Sequence, residues 1–176
     1  MKQELLDKYN VPVPRYTSYP PANYFQEGFC NKEYTKIIRE SNHQKPAELS
    51  FYFHIPFCRR LCHYCGCNSY PVSTQDIIDR YVSALHKEVE MVTSMLDPQR
   101  KIAQIHYGGG TPTIFPASDL KALNERLLHK FRTIENPEIA LECHPGWLSE
   151  KDWNEISEAG FNRFSLGIQD FNRKVL

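Results

Sequence analysis

Apolar residues along the chain alternate between short dense runs and stretches at helical spacing. From Leu49 the run LSFYFHIP is rich in aromatic residues and short enough for a buried strand. A long helix is predicted from Ser73 or Thr74 to Met95, because its apolar residues recur on one face. These are Ile78, Tyr81, Val82, Leu85, Val89 and Val92. Such a stripe predicts that the helix packs on a sheet.

Two further units repeat this order. The strand IAQIHY leads through the turn GGGTPT into a helix from Ser118 to about Phe131. The strand EIALEC precedes a helix opened by Ser149, with Asp152 three residues later as in a capping box, and closed at Gly160. A fourth strand, NRFSLGIQ, follows. Repeated strand–helix order predicts an α/β fold with parallel strands and right-handed crossovers. Four strands do not close a barrel, so either the sheet is open or residues are missing.

The first 46 residues have a different character. A short polar helix comes first, then VPVPRYTSYPPANYF, whose prolines exclude regular structure, and then a helix from about Asn31 to Ser41. We therefore expect two parts: residues 1–46 as an N-terminal arm with short helices, and residues 47–176 as the parallel α/β part.

Composition excludes several classes of partner. With 41% hydrophobic and 24% charged residues, the chain fits one globular domain. Twenty-one Lys and Arg balance twenty-one Asp and Glu, which leaves no basic footprint for nucleic acid. No apolar run approaches the roughly 18–20 residues that span a bilayer, and the start, MKQELLDKYN, lacks the apolar region of a signal peptide. We expect a cytoplasmic protein without nucleic-acid or membrane partners.

The segment CRRLCHYCGC carries the most specific chemistry. Cys58, Cys62 and Cys65 follow one another at spacings of four and three, and three thiolates this close can hold three corners of a [4Fe–4S] cluster. Such a cluster normally takes four cysteine ligands, so three would leave one iron open. A structural zinc site with Cys67 or His63 as the fourth ligand is an alternative. Thiols that bind no metal are another.

The spacing CX3CX2C directly after the first strand of a parallel α/β domain resembles the signature of the radical S-adenosylmethionine superfamily. The resemblance implies a partial TIM-like barrel preceded by the arm. It also implies that the open iron binds S-adenosylmethionine and that one-electron cleavage gives a 5′-deoxyadenosyl radical, which abstracts a substrate hydrogen. GGGTPT resembles the superfamily's motif for the methionine end of the cofactor, which assigns Gly109, Gly110 and Thr111 to it.

Glu142 ends the third strand, where related enzymes have a carboxylate for the ribose hydroxyls of the cofactor. The next two residues depart from the usual pattern of an apolar residue followed by Asp or Asn. These are Cys143 and His144, which we expect to be a packed thiol and a hydrogen-bonded imidazole rather than metal ligands.

Two segments narrow the resemblance to the oxygen-independent coproporphyrinogen III oxidases. They are PRYTSYP, from Pro14 to Pro20, and the pattern CxxCGCN at Cys62 to Asn68, in which Cys67 is not a cluster ligand. HIPFC, GGGTPT and GFNRFSLGIQDFN are similar to this family as well. A related haem chaperone is the alternative within the superfamily, and a zinc-stabilised binding module is one from another class.

The resemblance implies further residues and partners. Tyr52 matches a position near the first S-adenosylmethionine, while Tyr64 and Gln169 match contacts of a second molecule. The implied reaction converts two propionates of coproporphyrinogen III into vinyl groups with loss of two carbon dioxide molecules. Arg15 is a candidate partner for the substrate carboxylates, since Arg pairs with them in bidentate fashion. Reduced flavodoxin or ferredoxin would donate electrons, and the full-length protein would be monomeric.

Overall fold

The computed structural model describes residues 3–10, 24, 25, 27–172 and 174. The chain forms two compact units, Met1–Thr35 and Lys36–Leu176. In the first unit, helix α1 spans Gln3–Tyr9 and buries no residue. Helix α2, Asn31–Ser41, begins in this unit, where the Glu33 carboxylate accepts a hydrogen bond of 3.0 Å from the backbone N–H of Cys30.

The second unit is a four-stranded parallel sheet with helices between its strands. The strands are β1 (Leu49–Ile55), β4 (Ile102–Gly109), β5 (Thr133–Cys143) and β6 (Arg163–Leu166), in that spatial order. Two short strands, β2 (Phe57–Cys58) and β3 (Tyr70–Pro71), form a separate parallel pair. The helices are α3 (Gln75–Thr93), α4 (Ala117–Lys130) and α5 (Glu150–Glu158). Every pairing in the larger sheet is parallel, which confirms the predicted α/β class.

Alternation along the strands separates an apolar face from a polar face. The apolar side chains are buried in the core with α3 and α4, whose apolar stripes the sequence predicts. On the strands these residues are Leu49, Phe53, Ile55, Ile102, Ile105, Tyr107, Ile139 and Leu141. The alternate positions are mostly polar: Ser50, Tyr52, His54, Gln104, His106, Glu138, Glu142, Arg163 and Ser165. Polar side chains from all four strands therefore share one face.

Element boundaries agree with the sequence to within a few residues, with one exception. Strand β5 begins at Thr133, five residues before the predicted EIALEC, and its early part is only half-buried or exposed. The capping box of α5 is formed: the Ser149 hydroxyl accepts from the backbone N–H of Asp152 at 3.2 Å, and the Asp152 carboxylate accepts from Ser149 N at 2.8 Å. No helix in the described part of the chain is both long and apolar enough to cross a bilayer.

A buried polar bridge ties the sheet to the helices. Asn124 on α4 is 1% exposed and accepts a hydrogen bond of 2.8 Å from the Tyr107 hydroxyl, while its amide donates to Ala159 O at 2.9 Å. Burial raises the pKa of Tyr107 well above its usual value. The side-chain amide of Asn124 thus links strand β4 and the end of α5 to helix α4.

Replacing Asn124 with Ala should therefore lower the free energy of unfolding by about 2–4 kcal/mol, since it leaves the Tyr107 hydroxyl and the Ala159 carbonyl buried without partners. Urea unfolding followed by circular dichroism measures the change. Asn136→Ala on the exposed part of β5 is the matched control and should change stability by less than about 0.5 kcal/mol. Equal stability of the two variants would show that the bridge contributes nothing.

Candidate functional site

A cleft of about 1240 Å³ opens at the carboxyl ends of the parallel strands. Its walls are the cysteine loop (residues 58–69), the turn after β4, the segment after β5 and the segment after β6. In parallel α/β folds this end of the sheet collects the βα loops and, with them, ligands and catalytic groups. The cleft is therefore the candidate site.

The cysteine loop is closed at its base by the β2–β3 pair. Tyr70 N donates to Pro56 O at 2.6 Å and Val72 N donates to Cys58 O at 2.8 Å, so both ends of the loop are held together. Cys58 is buried, whereas Cys62 and Cys65 are exposed, and all three line the cleft. The structure thus brings the three predicted thiol ligands to one wall.

Two neighbouring thiols of this loop differ in their electrostatics. A hydrogen bond from the backbone N–H of Cys67, and a second from the Ser69 hydroxyl, lower the pKa of Cys65. The pKa of Cys67 is raised, first by its hydrogen bond to the Cys65 sulfur and then by burial. Metals bind thiolates rather than thiols. Of this pair, Cys65 is therefore the better ligand.

The thiols of the cysteine loop bear on which of the two metal sites that the sequence allows fits this cleft. Within the described residues, no three His, Cys, Asp or Glu side chains converge closely enough to hold one metal ion. A zinc ion needs four ligand atoms about 2.0–2.3 Å from a single point. An iron–sulfur cluster does not require this convergence, because each cysteine binds a different iron. Three thiols spread along one wall of an open cleft fit a cluster.

The turn after β4 lies directly against the first of these thiols. Gly110 N donates to Ile55 O and Thr111 N to Phe57 O, both at 2.8 Å, which holds the turn against the end of β1 and against β2. The buried Thr111 hydroxyl donates to Cys58 Sγ at 3.4 Å. Gly109 has a φ of +118°, a conformation that glycine tolerates best. GGGTPT and the cysteine loop are thus parts of one site.

Glu142 belongs to a group of side chains in contact with one another at the polar ends of three strands, β1, β4 and β5. Its Oε1 lies 3.1 Å from His106 Nε2, and the His106 ring stacks on Tyr52 with centroids 5.7 Å apart. The Tyr52 hydroxyl lies 3.0 Å from His54 Nδ1, while His54 Nε2 lies 2.8 Å from Asn68 O in the cysteine loop. Burial, and then the negative charge of Glu142, raise the pKa of Tyr52.

Sequence reasoning missed His54 and His106. A signal was available for His54, because residues two apart on a strand share a face and His54 follows Tyr52 at this spacing. His106 is placed beside Tyr52 only by the register of β1 and β4 in the folded sheet. The neighbouring Gly108 leaves room for the side chain of Glu142, since a Cβ at Gly108 would lie 3.0 Å from Glu142 Oε1.

Tyr64 and Gln169 are 105 positions apart in sequence and meet in the cleft. The Tyr64 hydroxyl donates to Gln169 Oε1 at 3.0 Å. Gln169 has a φ of +68°, which is uncommon for a residue with a side chain. This contact joins the segment after β6 to the cysteine loop across the cleft.

Comparison with known proteins identifies the family. The family model described as the radical SAM superfamily matches residues 52–176. The chain belongs to this superfamily. Proteins to which it is similar include three oxygen-independent coproporphyrinogen III oxidases. The one from Synechocystis sp. is 39% identical over 172 residues, the one from Helicobacter pylori 37% over 174, and the one from Escherichia coli 37% over 171. Each alignment covers 97–98% of this chain.

A solved structure agrees with this assignment. The coproporphyrinogen III oxidase from Escherichia coli, described as a radical SAM enzyme, superposes with a TM-score of 0.80 at 34% identity and covers 97% of this chain. The present chain spans 36–38% of the length of the three curated relatives and 37% of that solved chain. A partial radical SAM fold, as the sequence predicts, is therefore what the chain contains.

Cys143 and His144, the two residues after Glu142, can be compared with the packing expected of them. Cys143 is buried, its sulfur donates to Leu141 O at 3.6 Å, and burial raises its pKa to about 11. His144 Nδ1 accepts a hydrogen bond of 3.2 Å from Gly146 N, and burial lowers the pKa of the imidazole. Both have the packing and bonding expected of them. Arg15 and the segment PRYTSYP lie outside the described residues.

Proposed function

We propose that the chain is the cluster-binding and cofactor-binding part of an oxygen-independent coproporphyrinogen III oxidase acting in haem biosynthesis. The observation that carries this proposal is the shared cleft. The three thiols, the GGGTPT turn and the Glu142 carboxylate line it together, in a chain 35–39% identical to proteins of that name. A zinc module would need none of the groups opposite the cysteine loop.

Cys58, Cys62 and Cys65 would hold a [4Fe–4S] cluster with one iron open to S-adenosylmethionine. When bound, the cluster and the cofactor supply a 5′-deoxyadenosyl radical by one-electron cleavage, with methionine leaving. The turn at Gly109 and Gly110 lines the cleft, and the missing side chains let it pack against the end of β1 and against Cys58, since a Cβ at Gly110 would lie 2.9 Å from Cys58 Sγ. Thr111, whose hydroxyl donates to Cys58 Sγ, would also contact the methionine end of the cofactor.

The polar face of the sheet would hold the nucleoside end of the cofactor. Only one Glu142 carboxylate oxygen bonds to His106, so the other can accept from the ribose hydroxyls. Tyr52 lies beside it. Tyr64 and Gln169, joined across the cleft, would contact a second S-adenosylmethionine. Each contact is a proposal based on the residue's place in the cleft and on the family.

The proposed substrate is a porphyrinogen with four propionates. A hydrogen atom removed from a propionate β-carbon leaves a substrate radical, which loses carbon dioxide and gives one electron to an external one-electron acceptor. Two such events yield the two vinyl groups of protoporphyrinogen IX. We propose Arg15 as a partner for a substrate carboxylate and residues 1–46 as the arm that carries it. Reduced flavodoxin or ferredoxin would supply the electrons that cleave the cofactor.

Anaerobic reconstitution with ferrous iron and sulfide tests the proposal. We expect about four iron and four sulfide per chain with broad visible absorption. Dithionite should then produce 5′-deoxyadenosine from S-adenosylmethionine, measured by chromatography. Conversion of coproporphyrinogen III is measured in a chain extended to the length of the relatives.

Each rival function predicts a different result. Tight binding of one zinc ion with no uptake of iron and sulfide would indicate a zinc module and overturn the proposal. Cofactor cleavage and haem binding without decarboxylation, in the extended chain, would indicate a haem chaperone instead.

A further inference from the structure

We infer that His106 is a positioning residue for the cofactor carboxylate: its Nε2–H holds Glu142 Oε1 and thereby directs Oε2 into the cleft. The inference rests on the proposed function, in which Glu142 accepts from the ribose. His106 stands outside the motifs that point to the cofactor, and its role follows from the contacts that it makes on the polar face of the sheet.

The direction of this hydrogen bond follows from its partner. A carboxylate oxygen only accepts, so the proton in the 3.1 Å contact lies on His106 Nε2. A carboxylate at a strand end has several rotamers of similar energy. One fixed oxygen restricts them, and a group already held in its binding geometry loses less conformational entropy when the ligand arrives.

The ring of His106 is itself restrained. It stacks on Tyr52 at an interplanar angle of 27°, and the Tyr52 hydroxyl is held by His54. Asn68 O can only accept, so His54 carries a proton on Nε2, and its Nδ1 lies 3.0 Å from the Tyr52 hydroxyl. The chain of contacts runs from the cysteine loop to Glu142 and fixes both rings. Imidazole supplies here a flat face and a donor at one atom.

The same strand offers a matched comparison. Gln104 lies two residues before His106 on the same face, and its amide donates to Glu138 Oε1 at 2.7 Å. Both residues therefore bond a β5 carboxylate across the sheet. Only the His106 pair lies at the cleft, since Glu142 lines it and Glu138 does not. Loss of the Gln104 bond removes a similar interaction away from the proposed cofactor.

The test measures the dissociation constant of S-adenosylmethionine by equilibrium dialysis on the protein with its cluster oxidised, so that no cleavage occurs. His106→Phe keeps a ring to stack on Tyr52 and removes the donor, and we expect about ten-fold weaker binding. His106→Gln keeps a donor and should restore most of the affinity. Gln104→Leu should bind as the unaltered protein does. Iron content and thermal midpoint should match across the set.

A double-mutant cycle with Glu142→Ala separates positioning from a merely structural role. If His106 acts through Glu142, His106→Phe causes no further loss once the carboxylate is gone. Unaltered affinity in His106→Phe, or losses that add in the double variant, would overturn the inference and leave the role of Glu142 intact. Unaltered affinity in Glu142→Ala would overturn the proposed ribose contact itself, and the role of His106 with it.

Discussion

We expect that replacing Cys58, Cys62 or Cys65 with Ser, one at a time, abolishes cluster binding in the reconstituted protein. Each thiolate would bind a different iron, so the remaining two cannot replace it. A serine hydroxyl at the same position ionises far less readily than a thiol and is a much poorer ligand for iron. We expect the iron and sulfide contents and the visible absorption to fall to the level of protein reconstituted without iron.

Cys67→Ser is the matched control, because Cys67 lines the same cleft two residues from a proposed ligand. Its pKa is raised where that of Cys65 is lowered, which favours the thiol over the thiolate. We therefore expect Cys67→Ser to keep full iron content. Equal loss of iron in this variant would make Cys67 a fourth ligand and remove the open iron. Full iron content in any one of the other three variants would refute the cluster assignment.

Gly110→Ala is expected to have the second largest effect. A Cβ at this position would lie 2.7 Å from Phe57 O and 2.9 Å from Cys58 Sγ, too close for either atom to stay in place. One of these atoms belongs to the backbone and the other to a proposed ligand, so neither can rotate away cheaply. Overpacking of this kind costs about 1–3 kcal/mol. We expect iron content to fall several-fold and the thermal midpoint to decrease.

Gly146→Ala provides the comparison. It lies on the same cleft, but its nearest neighbour would be a ring carbon of His144 at 3.3 Å. Small rotation of that ring relieves the contact, so iron content should stay close to that of the unaltered protein. If Gly110→Ala also retains all its iron, the turn does not need to approach Cys58 as closely as described.

The fold could be predicted because its signals are local. Apolar residues at helical spacing on α3 bury Ile78, Val82, Leu85 and Val89, and the capping box marks the start of α5. The first half of β5 was missed, because Glu135, Asn136 and Pro137 carry no strand pattern and lie in an irregularity between the paired positions Thr133 and Glu138. The β2–β3 pair, with two residues in each strand, is too short for any periodicity to appear.

The site was only partly predictable for a related reason. Spacing alone pointed to Cys58, Cys62 and Cys65, since all three belong to one loop. His106 could not be assigned in this way, because its contacts with Tyr52 and Glu142 depend on the register of three strands. The meeting of Tyr64 with Gln169 likewise depends on where the fourth strand lies in the sheet. Family resemblance named those two residues, and the fold explains how they meet.

The β2–β3 pair also bears on how a cluster could assemble. Backbone hydrogen bonds close the 11-residue loop between Cys58 and Tyr70, so about 2 kcal/mol of closure entropy would not have to come from metal binding. In the proposed cluster site, a first iron bound at one cysteine would face the other two thiols at a high effective concentration, in the millimolar range typical of short tethers. Capture of the later irons would then be an intramolecular process, governed by the geometry of the loop and independent of protein concentration.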